Sequence, residues 1–213
     1  MHGRTRDCPL KKRQATEAHD MTTTVACIVL AAGGSSRFGS AKQLQRYNGE
    51  ILVRRAVKAA RDCGAAQVIL VTGANAEAVE KSVADFDSLR IVRNDSWIKG
   101  LSSSIAAGIG AIEGSSSIDA VLVTLGDQPL VDGSCLDRLI SAFDRKHRVV
   151  AASYNDIAGA PVLFGREHLD FLKELTGDKG ARQLLARMTG VTRVPMPEAA
   201  VDIDEARDLL ERD

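Results

Sequence analysis

VACIVLAAGGSSRFGSAK, residues 25–42, joins an apolar run to a glycine-rich turn that carries two cations. The run Val25–Ala31 is short and continuously apolar, which predicts a fully buried β-strand. The glycines that follow let backbone N–H groups approach an anion that a Cβ atom would keep away. Arg37 and Lys42 add positive charge where phosphates would lie. The stretch therefore predicts a loop that holds a triphosphate.

Two well-known phosphate-binding motifs do not fit this loop. A Walker P-loop needs a lysine and a hydroxyl residue directly after its second glycine, but Gly39 is followed by Ser-Ala-Lys-Gln. The dinucleotide fingerprint G-x-G-x-x-G is missing as well. A surface turn with two solvated cations remains the structural alternative at this point.

The composition argues against nucleic acid and membranes as binding partners. The chain has 213 residues, with 28 Lys and Arg and 28 Asp and Glu, so its formal net charge is zero. Without an overall positive field we expect no binding to nucleic acid or to a membrane surface. No apolar run approaches the roughly 20 residues that a membrane helix needs, and the first residues lack an apolar signal core. The sequence therefore predicts a cytoplasmic protein whose phosphate binding is local.

The cysteines and the first residues add two expectations. The 4 cysteines have no C-x-x-C spacing, which favours reduced structural thiols over a metal site or disulfides. Residues 1–24 mix basic and acidic side chains without an apolar face, which predicts a disordered arm. Met21, directly before Thr-Thr-Thr-Val, suggests a start at that position. We expect residues 25–213 to form one domain, since no linker divides them.

Short apolar runs alternate with amphipathic segments from Val25 onward, with Gly, Asn or Asp at the joints. This alternation is typical of an α/β fold with a mostly parallel sheet. The predicted strands are Val25–Ala31, Gln67–Thr72, Arg90–Val92, Ala120–Leu125, Val149–Ala152, Val162–Phe164 and Thr192–Pro195. The predicted helices are Ile51–Cys63, Ala76–Ala84, Ser103–Ile112, Cys135–Arg145, Arg166–Leu175, Ala181–Met188 and Glu205–Leu210. Ser134 followed by Asp137 resembles a capping box.

Two aspartates are candidate metal ligands. Ligands of open α/β sheets bind at the carboxyl ends of the strands, and Asp127 stands directly after the strand Ala120–Leu125, in the segment GDQP of residues 126–129. Asp204 precedes the last predicted helix. Mg²⁺ keeps several waters and takes one or two protein carboxylates, so this pair suits a magnesium ion that bridges phosphates. A turn at Asp127 and a helix cap at Asp204 are the structural alternatives.

Two further segments, at the starts of predicted helices, are candidates for contacts with the nucleotide or its phosphates. Residues 94–104, NDSWIKGLSSS, hold the single tryptophan and a dense set of small donors that could wrap a base or a ribose. Their serines are first of all N-cap candidates. Arg182 lies in the first turn of the helix Ala181–Met188, where the helix dipole favours anions, so it could serve a bound phosphate. A solvated arginine is an equal alternative.

Taken together, these segments resemble the molybdenum cofactor nucleotidyltransferases, most closely their cytidylyltransferase branch. The resemblance extends from Val25 to Leu210. The loop with Arg37 and Lys42 is shared by the wider nucleotidyltransferase superfamily and implies the reaction type. Residues 97–104, 126–129 and 177–182 are more particular to this branch. The resemblance implies a Rossmann-like three-layer α/β/α sandwich with a mostly parallel mixed sheet, of the glycosyltransferase-A type.

The resemblance also implies a role for each residue. It assigns nucleotide binding to Leu30, Ala31, Ala32, Gly33, Gly34, Ser102, Ser103 and Ser104. The implied catalytic residues are Arg37 and Lys42, which hold the phosphates, and Asp127, which holds Mg²⁺ with Asp204. The implied acceptor contacts are Gln128, Pro129, Gly159, Pro161 and Arg182. Ala32 implies CTP as donor, because guanylyl members tend to carry Gly-Gly where this chain has Ala32-Gly33.

Two positions depart from the family pattern. Glu205 and Ala206 follow Asp204 where members often have Thr-Pro, a change that is benign for the chemistry. Ala160 stands between Gly159 and Pro161 where many members have a histidine. The second departure bears on which cofactor this chain contacts.

The expected reaction is attack of the terminal phosphate of molybdopterin on the α-phosphate of CTP, with release of pyrophosphate. A molybdenum hydroxylase or its accessory protein is the candidate protein partner. Three alternatives stay open: GTP as donor, a sugar or polyol phosphate as acceptor, and a non-catalytic carrier of the mature cofactor. The strand Ala120–Leu125 is not followed by D-x-D, which argues against a sugar-transferring enzyme on the same fold.

Overall fold

The computed structural model describes residues 23–35, 38, 41–115, 117–144, 146–177, 184–204 and 208. Its strands are β1 (Val25–Ala31), β2 (Arg46–Tyr47), β3 (Glu50–Ile51), β4 (Gln67–Thr72), β5 (Leu89–Arg93), β6 (Ala120–Leu125), β7 (Val149–Tyr154), β8 (Ile157–Gly165) and β9 (Val191–Pro195). Its α-helices are α1 (Leu52–Asp62), α2 (Ala76–Ser82), α3 (Leu101–Gly110), α4 (Gly133–Ser141) and α5 (Leu169–Lys173). Short 3-10 helices cover Lys42–Leu44, Trp97–Lys99, Arg166–His168 and Pro197–Ala200.

The main sheet has seven strands in the order β5-β4-β1-β6-β8-β7-β9. Strands β5, β4, β1 and β6 run parallel to one another, with Leu30 opposite both Val71 and Leu125. Strand β8 runs antiparallel to β6 and to β7, and β9 pairs in parallel with β7. The predicted mostly parallel mixed sheet is therefore confirmed.

The sheet carries a packed layer on each face. Alternate residues of β1 separate into the two layers, because successive side chains of a strand point to opposite faces. Cys27 and Val29 pack with the buried faces of α1 and α4, whereas Ala26 and Ile28 pack with α3 and α5. This arrangement confirms the predicted three-layer sandwich.

Several predicted bounds are wrong by a few residues. The helix predicted over Ser103–Ile112 is α3 and begins at Leu101, directly after Gly100, whose positive φ of 97° separates α3 from the preceding 3-10 helix. The helix predicted over Arg166–Leu175 is a 3-10 turn followed by the short α5. Strands β7 and β8 are longer than predicted, because Asn155 and Asp156, both at positive φ, join them directly as a hairpin.

Two local features were not foreseen from the sequence. Strands β2 and β3 form a small hairpin over Asn48 and Gly49, both at positive φ, the conformation of a tight hairpin turn. The N-cap of α4 is Asp132, whose carboxylate accepts a hydrogen bond from Cys135 N at 3.0 Å. The predicted capping box at Ser134 is therefore wrong, since its hydroxyl donates to Asp132 instead.

Some predictions fall outside the described residues: most of the arm 1–24, the first half of the helix Ala181–Met188 and nearly all of Glu205–Leu210. Thr24 pairs with Asp119 through both backbone and side chain at the start of β1. The three described cysteines are free and buried, as predicted. Within the described part of the chain, every helix is too short or too polar to cross a membrane.

Candidate functional site: a nucleotide pocket with a lysine and two carboxylates

The glycine-rich loop leaves β1 at the centre of the sheet, where the ends of β1, β4 and β6 meet. Leu30, Ala31 and Ala32 are buried, and the chain becomes exposed at Gly33 and Gly34. A residue that the sequence analysis missed holds this loop: the amide of Gln43, buried to 3% exposure, donates from Nε2 to Gly33 O at 2.7 Å. The buried Gln43 side chain therefore holds the loop in place, while the two glycines remain exposed to solvent.

The glycines are required by close approach to neighbouring groups. A Cβ atom on Gly34 would lie 2.9 Å from Cζ3 of Trp97. A Cβ atom on Gly73, which follows β4, would lie 2.6 Å from the Ala32 carbonyl oxygen. Neither distance is available to a real side chain, so both positions need the missing Cβ. Trp97 thereby forms one wall of the pocket against the glycine loop.

Lys42 joins the two predicted metal ligands. Its ammonium Nζ lies 2.6 Å from Asp127 Oδ2 and 3.0 Å from Asp204 Oδ1. Asp127 follows β6, whose end is tied to β1 by the bond from Gly126 N to Leu30 O at 3.0 Å. Asp204 is brought there by a second backbone bond, from Ile203 N to Asp127 O at 3.0 Å. Residues 162 positions apart in sequence thus meet at one point.

The charges in this cluster influence one another. Partial burial alone would lower the pKa of Lys42, but Asp127 and Asp204 outweigh that effect, so its pKa is raised. Asp202 has a raised pKa, first because it is partly removed from water and then because the Asp204 and Asp127 carboxylates lie nearby. Lys42 is therefore a cation that neutralises a locally acidic site.

The carboxylates fit a divalent cation. Asp127 Oδ1 is buried and has no hydrogen-bond partner within the described residues, although its other oxygen holds Lys42. An unpaired buried carboxylate oxygen is costly, and a metal ion would satisfy it. The described residues contain no group of three or more Asp, Glu, His or Cys side chains placed to ligate a metal. Two carboxylates suit Mg²⁺, which keeps most of its waters.

A pocket of about 340 Å³ opens beside this cluster. A pocket of this size is at the lower end of the range for a drug-sized ligand. It is bounded by the glycine loop, the tryptophan segment and the end of β6. Its lining residues are Leu30, Ala31, Ala32, Gly33, Gly34, Lys42, Gln43, Trp97, Ile98, Gly100, Leu101, Ser104, Leu125, Gly126 and Asp127.

Only one of the three predicted serines lines the nucleotide pocket. Ser104 lines the pocket, whereas Ser102 and Ser103 are absent from the described lining. Asn94 Nδ2 donates to the hydroxyls of Ser103 at 2.9 Å and Ser104 at 3.0 Å. The expectation of a serine N-cap is wrong, because Gly100 caps α3 without a side-chain bond. These hydroxyls instead tie the tryptophan segment to the helix.

The predicted acceptor residues lie on the other side of Asp127. Gln128 is buried, and its Nε2 donates to Ala160 O at 3.1 Å and Ala199 O at 2.8 Å. Pro129 is buried, and its carbonyl accepts two bonds from Arg55 at 3.0 and 2.8 Å. Gly159 lines a second cavity, whereas Pro161 is buried in β8 and is not among that cavity's described lining residues. Their roles in binding remain predictions.

Arg37 and Arg182 lie outside the described residues, so their predicted phosphate contacts are not tested. Of the remaining predicted residues, Lys42, Asp127 and Asp204 come together with the glycine loop at one edge of the sheet. Gln43, which holds the glycine loop, was missed, and Asn94 was noted only as part of segment 94–104, without its bonds to Ser103 and Ser104. Their signal in the sequence is weak, because isolated amides in loops are common.

Comparisons with known proteins agree with this geometry. The model of the MobA-like NTP transferase domain matches residues 27–192. The chain is 33% identical over 171 residues to nicotine blue oxidoreductase of Paenarthrobacter nicotinovorans, covering 76% of this chain and 81% of that protein. It is 27% identical over 145 residues to molybdenum cofactor cytidylyltransferase of Escherichia coli (strain K12), covering 68% of this chain and 71% of that protein.

Two solved structures share the fold. One is a nucleotidyl transferase from Methanothermobacter thermautotroptrophicus, with a TM-score of 0.76 and 28% identity, covering 88% of this chain and 95% of that chain. The other is Rv0371C from Mycobacterium tuberculosis H37Rv in complex with manganese, with a TM-score of 0.73 and 27% identity, covering 89% of this chain and 97% of that chain. The fold is that of the nucleotide-diphospho-sugar transferase type.

Proposed function

The chain belongs to the family of MobA-like NTP transferase domains, and from this premise we propose that it transfers CMP from CTP to the terminal phosphate of a molybdopterin-type cofactor and releases pyrophosphate. The observation that carries the proposal is the meeting of Lys42, Asp127 and Asp204 at the edge of a pocket lined by the glycine loop. This combination provides backbone donors, one cation and two metal ligands for a triphosphate.

The chemistry needs little acid or base. The acceptor is a phosphate monoester, which is largely dianionic near neutral pH because its second pKa is about 6. One of its oxygens forms a bond to the α-phosphorus of CTP, the bond from that phosphorus to the bridging oxygen breaks, and pyrophosphate leaves with the electron pair. No proton has to move in this step. The described pocket lining contains no histidine, in keeping with this scheme.

Each residue then has a positioning or charge-stabilising role. Lys42 would leave its carboxylate partners for the phosphates, where a fixed cation stabilises the negative charge that spreads in the transition state. Asp127 and Asp204 would hold Mg²⁺, which when bound neutralises the phosphate oxygens and the pyrophosphate leaving group. The backbone N–H groups at Gly33 and Gly34 would orient the nucleotide.

The choice of CTP rests on the residue before the glycines. Ala32 is buried at 5% exposure and lines the pocket, and its carbonyl accepts a bond from Ala74 N at 3.2 Å. A methyl group at this position takes room that a glycine would leave open, which favours the smaller pyrimidine. The product would be passed to a molybdenum hydroxylase or its accessory protein.

Thermal unfolding with CTP·Mg²⁺ and GTP·Mg²⁺ tests the nucleotide. A ligand that binds only the folded state at 100 times its Kd stabilises it by about 2.7 kcal/mol. We expect the larger rise in Tm with CTP·Mg²⁺, and its loss in Asp127→Asn but not in Asp137→Asn, an exposed aspartate on α4. A larger shift with GTP would overturn the choice of base, and no shift with either nucleotide would favour the carrier alternative.

Pyrophosphate release tests the acceptor. We expect release from CTP with molybdopterin-type cofactor and none with hexose or polyol phosphates. Release with only the sugar or polyol phosphates would make the chain a nucleotidyltransferase of that other class.

A second candidate function comes from the relative named nicotine blue oxidoreductase, to which the chain is 33% identical. A redox enzyme on this fold would use the pocket for an electron-donating nucleotide and would not need both carboxylates. Oxidation of NADH or NADPH with a dye acceptor, unaffected by Asp127→Asn and without pyrophosphate release, would favour this candidate over the transferase.

A further inference from the structure

A small apolar cluster is formed by residues that lie close in sequence to each member of the lysine and carboxylate site. It is distinct from the two core layers on the faces of the sheet. Three of its side chains are buried and two are partly buried, and together they are named the Tyr47 cluster: Tyr47, Leu52, Ile203, Phe38 and Leu130.

The Tyr47 cluster joins the segments that carry the charges. Ile203 directly precedes Asp204, and Leu130 follows Asp127 by three positions. The hairpin β2–β3, which supplies Tyr47, follows the 3-10 helix that begins with the lysine. The three segments that bring the lysine and the two carboxylates together are therefore packed against one another through these apolar side chains.

Arg55 on α1 connects this cluster to the loop that carries Asp127. Its Nε and Nη2 donate to the same acceptor, Pro129 O, at 3.0 and 2.8 Å. Its Nη1 donates to Glu50 Oε2 at 3.2 Å, and its Cζ lies 5.6 Å from the centroid of the Tyr47 ring. Hydrogen bonds from an ionised guanidinium are stronger than neutral ones, and its planar shape fixes their direction. Arg55 therefore joins α1, the hairpin β2–β3 and the loop after β6.

The Arg55 guanidinium is not placed as a phosphate ligand. It does not line the nucleotide pocket in the described residues, and its charge is paired with Glu50. Its two bonds to Pro129 O end two positions after Asp127. Any influence of Arg55 on the site therefore acts through the position of this loop.

The loop of residues 126–131 is held by side chains from two parts of the fold. Arg55 donates to Pro129 O, and Gln128 donates from within the loop to two backbone carbonyls of other segments. Mg²⁺ demands near-ideal geometry at short oxygen distances. Two carboxylates on separate segments, Asp127 and Asp204, meet that demand only if the loop is kept in one position.

We propose that Arg55 is a positioning residue for the metal site of the proposed function. By holding the loop of residues 126–131 against α1 and the Tyr47 cluster, it fixes Asp127 relative to Asp204, so that one Mg²⁺ contacts both carboxylates. The inference rests on the proposed function, since that function supplies the ion. Without the guanidinium the loop moves and the ion is held more weakly, although neither carboxylate has changed.

Arg54 provides a closely matched control on the same helix. Its side chain is 29% exposed and that of Arg55 is 28% exposed. Arg54 likewise donates to one backbone carbonyl, Ser82 O at 2.6 Å, pairs with one carboxylate, Asp85, and lies over one aromatic ring, Phe86. None of these partners lines the nucleotide pocket in the described residues. Either substitution therefore removes a similar set of contacts, but only Arg55 contacts the loop of residues 126–131.

Hydrogen exchange followed by NMR measures the loop without any ligand. The full-length wild type is compared with Arg55→Met and Arg54→Met at the amides of Val131 and Ile203, which both donate to carbonyls of the loop. We expect exchange at these amides to be about tenfold faster in Arg55→Met, because local opening becomes easier, and to stay within about twofold in Arg54→Met. Urea unfolding shows whether the two variants lose the same global stability.

Binding of Mn²⁺, followed by the EPR signal of the free ion, measures the metal site itself. Asp127→Asn identifies the part of the binding that belongs to this site. We expect the Kd for Mn²⁺ to rise about tenfold in Arg55→Met and to stay within about twofold in Arg54→Met. Arg55→Lys is a milder variant that keeps the charge but lacks the two parallel donors, and we expect its Kd to rise at least about twofold.

The outcomes separate the inference from the proposed function. Equal changes in Arg55→Met and Arg54→Met, in exchange or in Mn²⁺ binding, would overturn the inference, and so would wild-type Mn²⁺ binding by Arg55→Lys or no Mn²⁺ binding by the wild type. Pyrophosphate release from CTP is measured on the same proteins. If the wild type releases pyrophosphate while the two arginine variants behave alike, only the inference fails. If Arg55→Met alone loosens the loop and weakens Mn²⁺ binding while the wild type releases no pyrophosphate, only the proposed function fails.

Discussion

The two halves of the sheet supply different kinds of group to the site. In the parallel half, β5-β4-β1-β6, loops leave the strand ends and deliver backbone donors, Lys42 and Asp127. The other half, β8-β7-β9, is named the antiparallel half after β8, which is antiparallel to both of its neighbours. The middle of β8 borders the site, so its apolar side chains form a wall. The carboxyl ends of parallel strands meet at one edge of a sheet, so the polar side chains that follow them lie close together there. An antiparallel strand beside them instead exposes the apolar side chains along its length to the site.

This contrast predicts that mutations in the two halves have separable effects. Changes at the strand ends of the parallel half are expected to affect the rate of transfer and the binding of nucleotide and metal. Changes in the antiparallel half are expected to affect the acceptor and the stability of the fold. The predictions below test that separation.

The largest effect is expected from Lys42→Met. The substitution keeps the length of the side chain but removes the cation from the phosphates, and we expect kcat to fall by about 10²–10³-fold. Steady-state kinetics of pyrophosphate release measures kcat.

The control for this variant is Lys81→Met, an exposed lysine on α2. Loss of a charge at that position should leave kcat within twofold. Near-normal turnover in Lys42→Met would remove the central residue from the proposed site.

Removing the charge of Asp127 should reduce activity more than removing the charge of Asp204. The Asp127 side chain is 20% exposed and the Asp204 side chain 51%, so the same charge acts through less water at Asp127. We expect Asp127→Asn to lower kcat/KM by about 100-fold or more and Asp204→Asn by about tenfold. Both variants should need more Mg²⁺ for half-maximal activity. Equal effects, or an unchanged Mg²⁺ requirement, would contradict a shared metal site.

The sequence predicted the parallel half of the fold better than the antiparallel half. The bounds of β1, β4 and β6 agree with the structure residue for residue, because each is a short apolar run between polar turns. Strand β8 was predicted only over Val162–Phe164 but extends from Ile157 to Gly165. Its first residues include Gly159 and Pro161, which are poor strand formers in isolation, and this part of the strand forms by pairing with β7, with a register shift at this point.

The site shows the same dependence on long-range contacts. The sequence indicated Lys42, Asp127 and Asp204, because charged residues that directly follow a buried strand or precede a helix lie where ligands of α/β sheets bind. It could not indicate Gln43 or Asn94, whose function is to fix loops through bonds to Gly33 and to Ser103 and Ser104. It also could not show the cavity beside Gln128, since its wall combines α3, α5 and three strands.

A smaller effect is expected from Gln128→Leu, because the Gln128 side chain extends from the loop after β6 to backbone carbonyls of the antiparallel half. The substitution removes the two bonds that tie Ala160 O and Ala199 O together and leaves both carbonyls without this donor. We expect the free energy of unfolding to fall by about 1–3 kcal/mol. Urea unfolding measures this change, and the Kd for CTP·Mg²⁺ serves as the internal control. A change in nucleotide affinity larger than the change in stability would show that the halves are coupled.

The smallest effect concerns the ion pair of Arg148 and Glu167, which connects the start of β7 to the end of β8 through two bonds of 2.6 Å. The Arg148 guanidinium lowers the pKa of Glu167 from 4.5 to about 2. Because the folded-state pKa is depressed, the stabilisation is present above pH 4.5 and is lost as the pH falls towards 2. The Glu167 side chain is 46% exposed, so we expect the pair to contribute less than about 1 kcal/mol to the free energy of unfolding.

Glu167→Gln should therefore lower the stability slightly at pH 7 and make it fall less between pH 4.5 and 2 than in the wild type. Glu174→Gln, an exposed change without a described ion pair, is the control in the same urea series. If both variants keep the wild-type pH dependence, the pair makes no measurable contribution to holding these strands together.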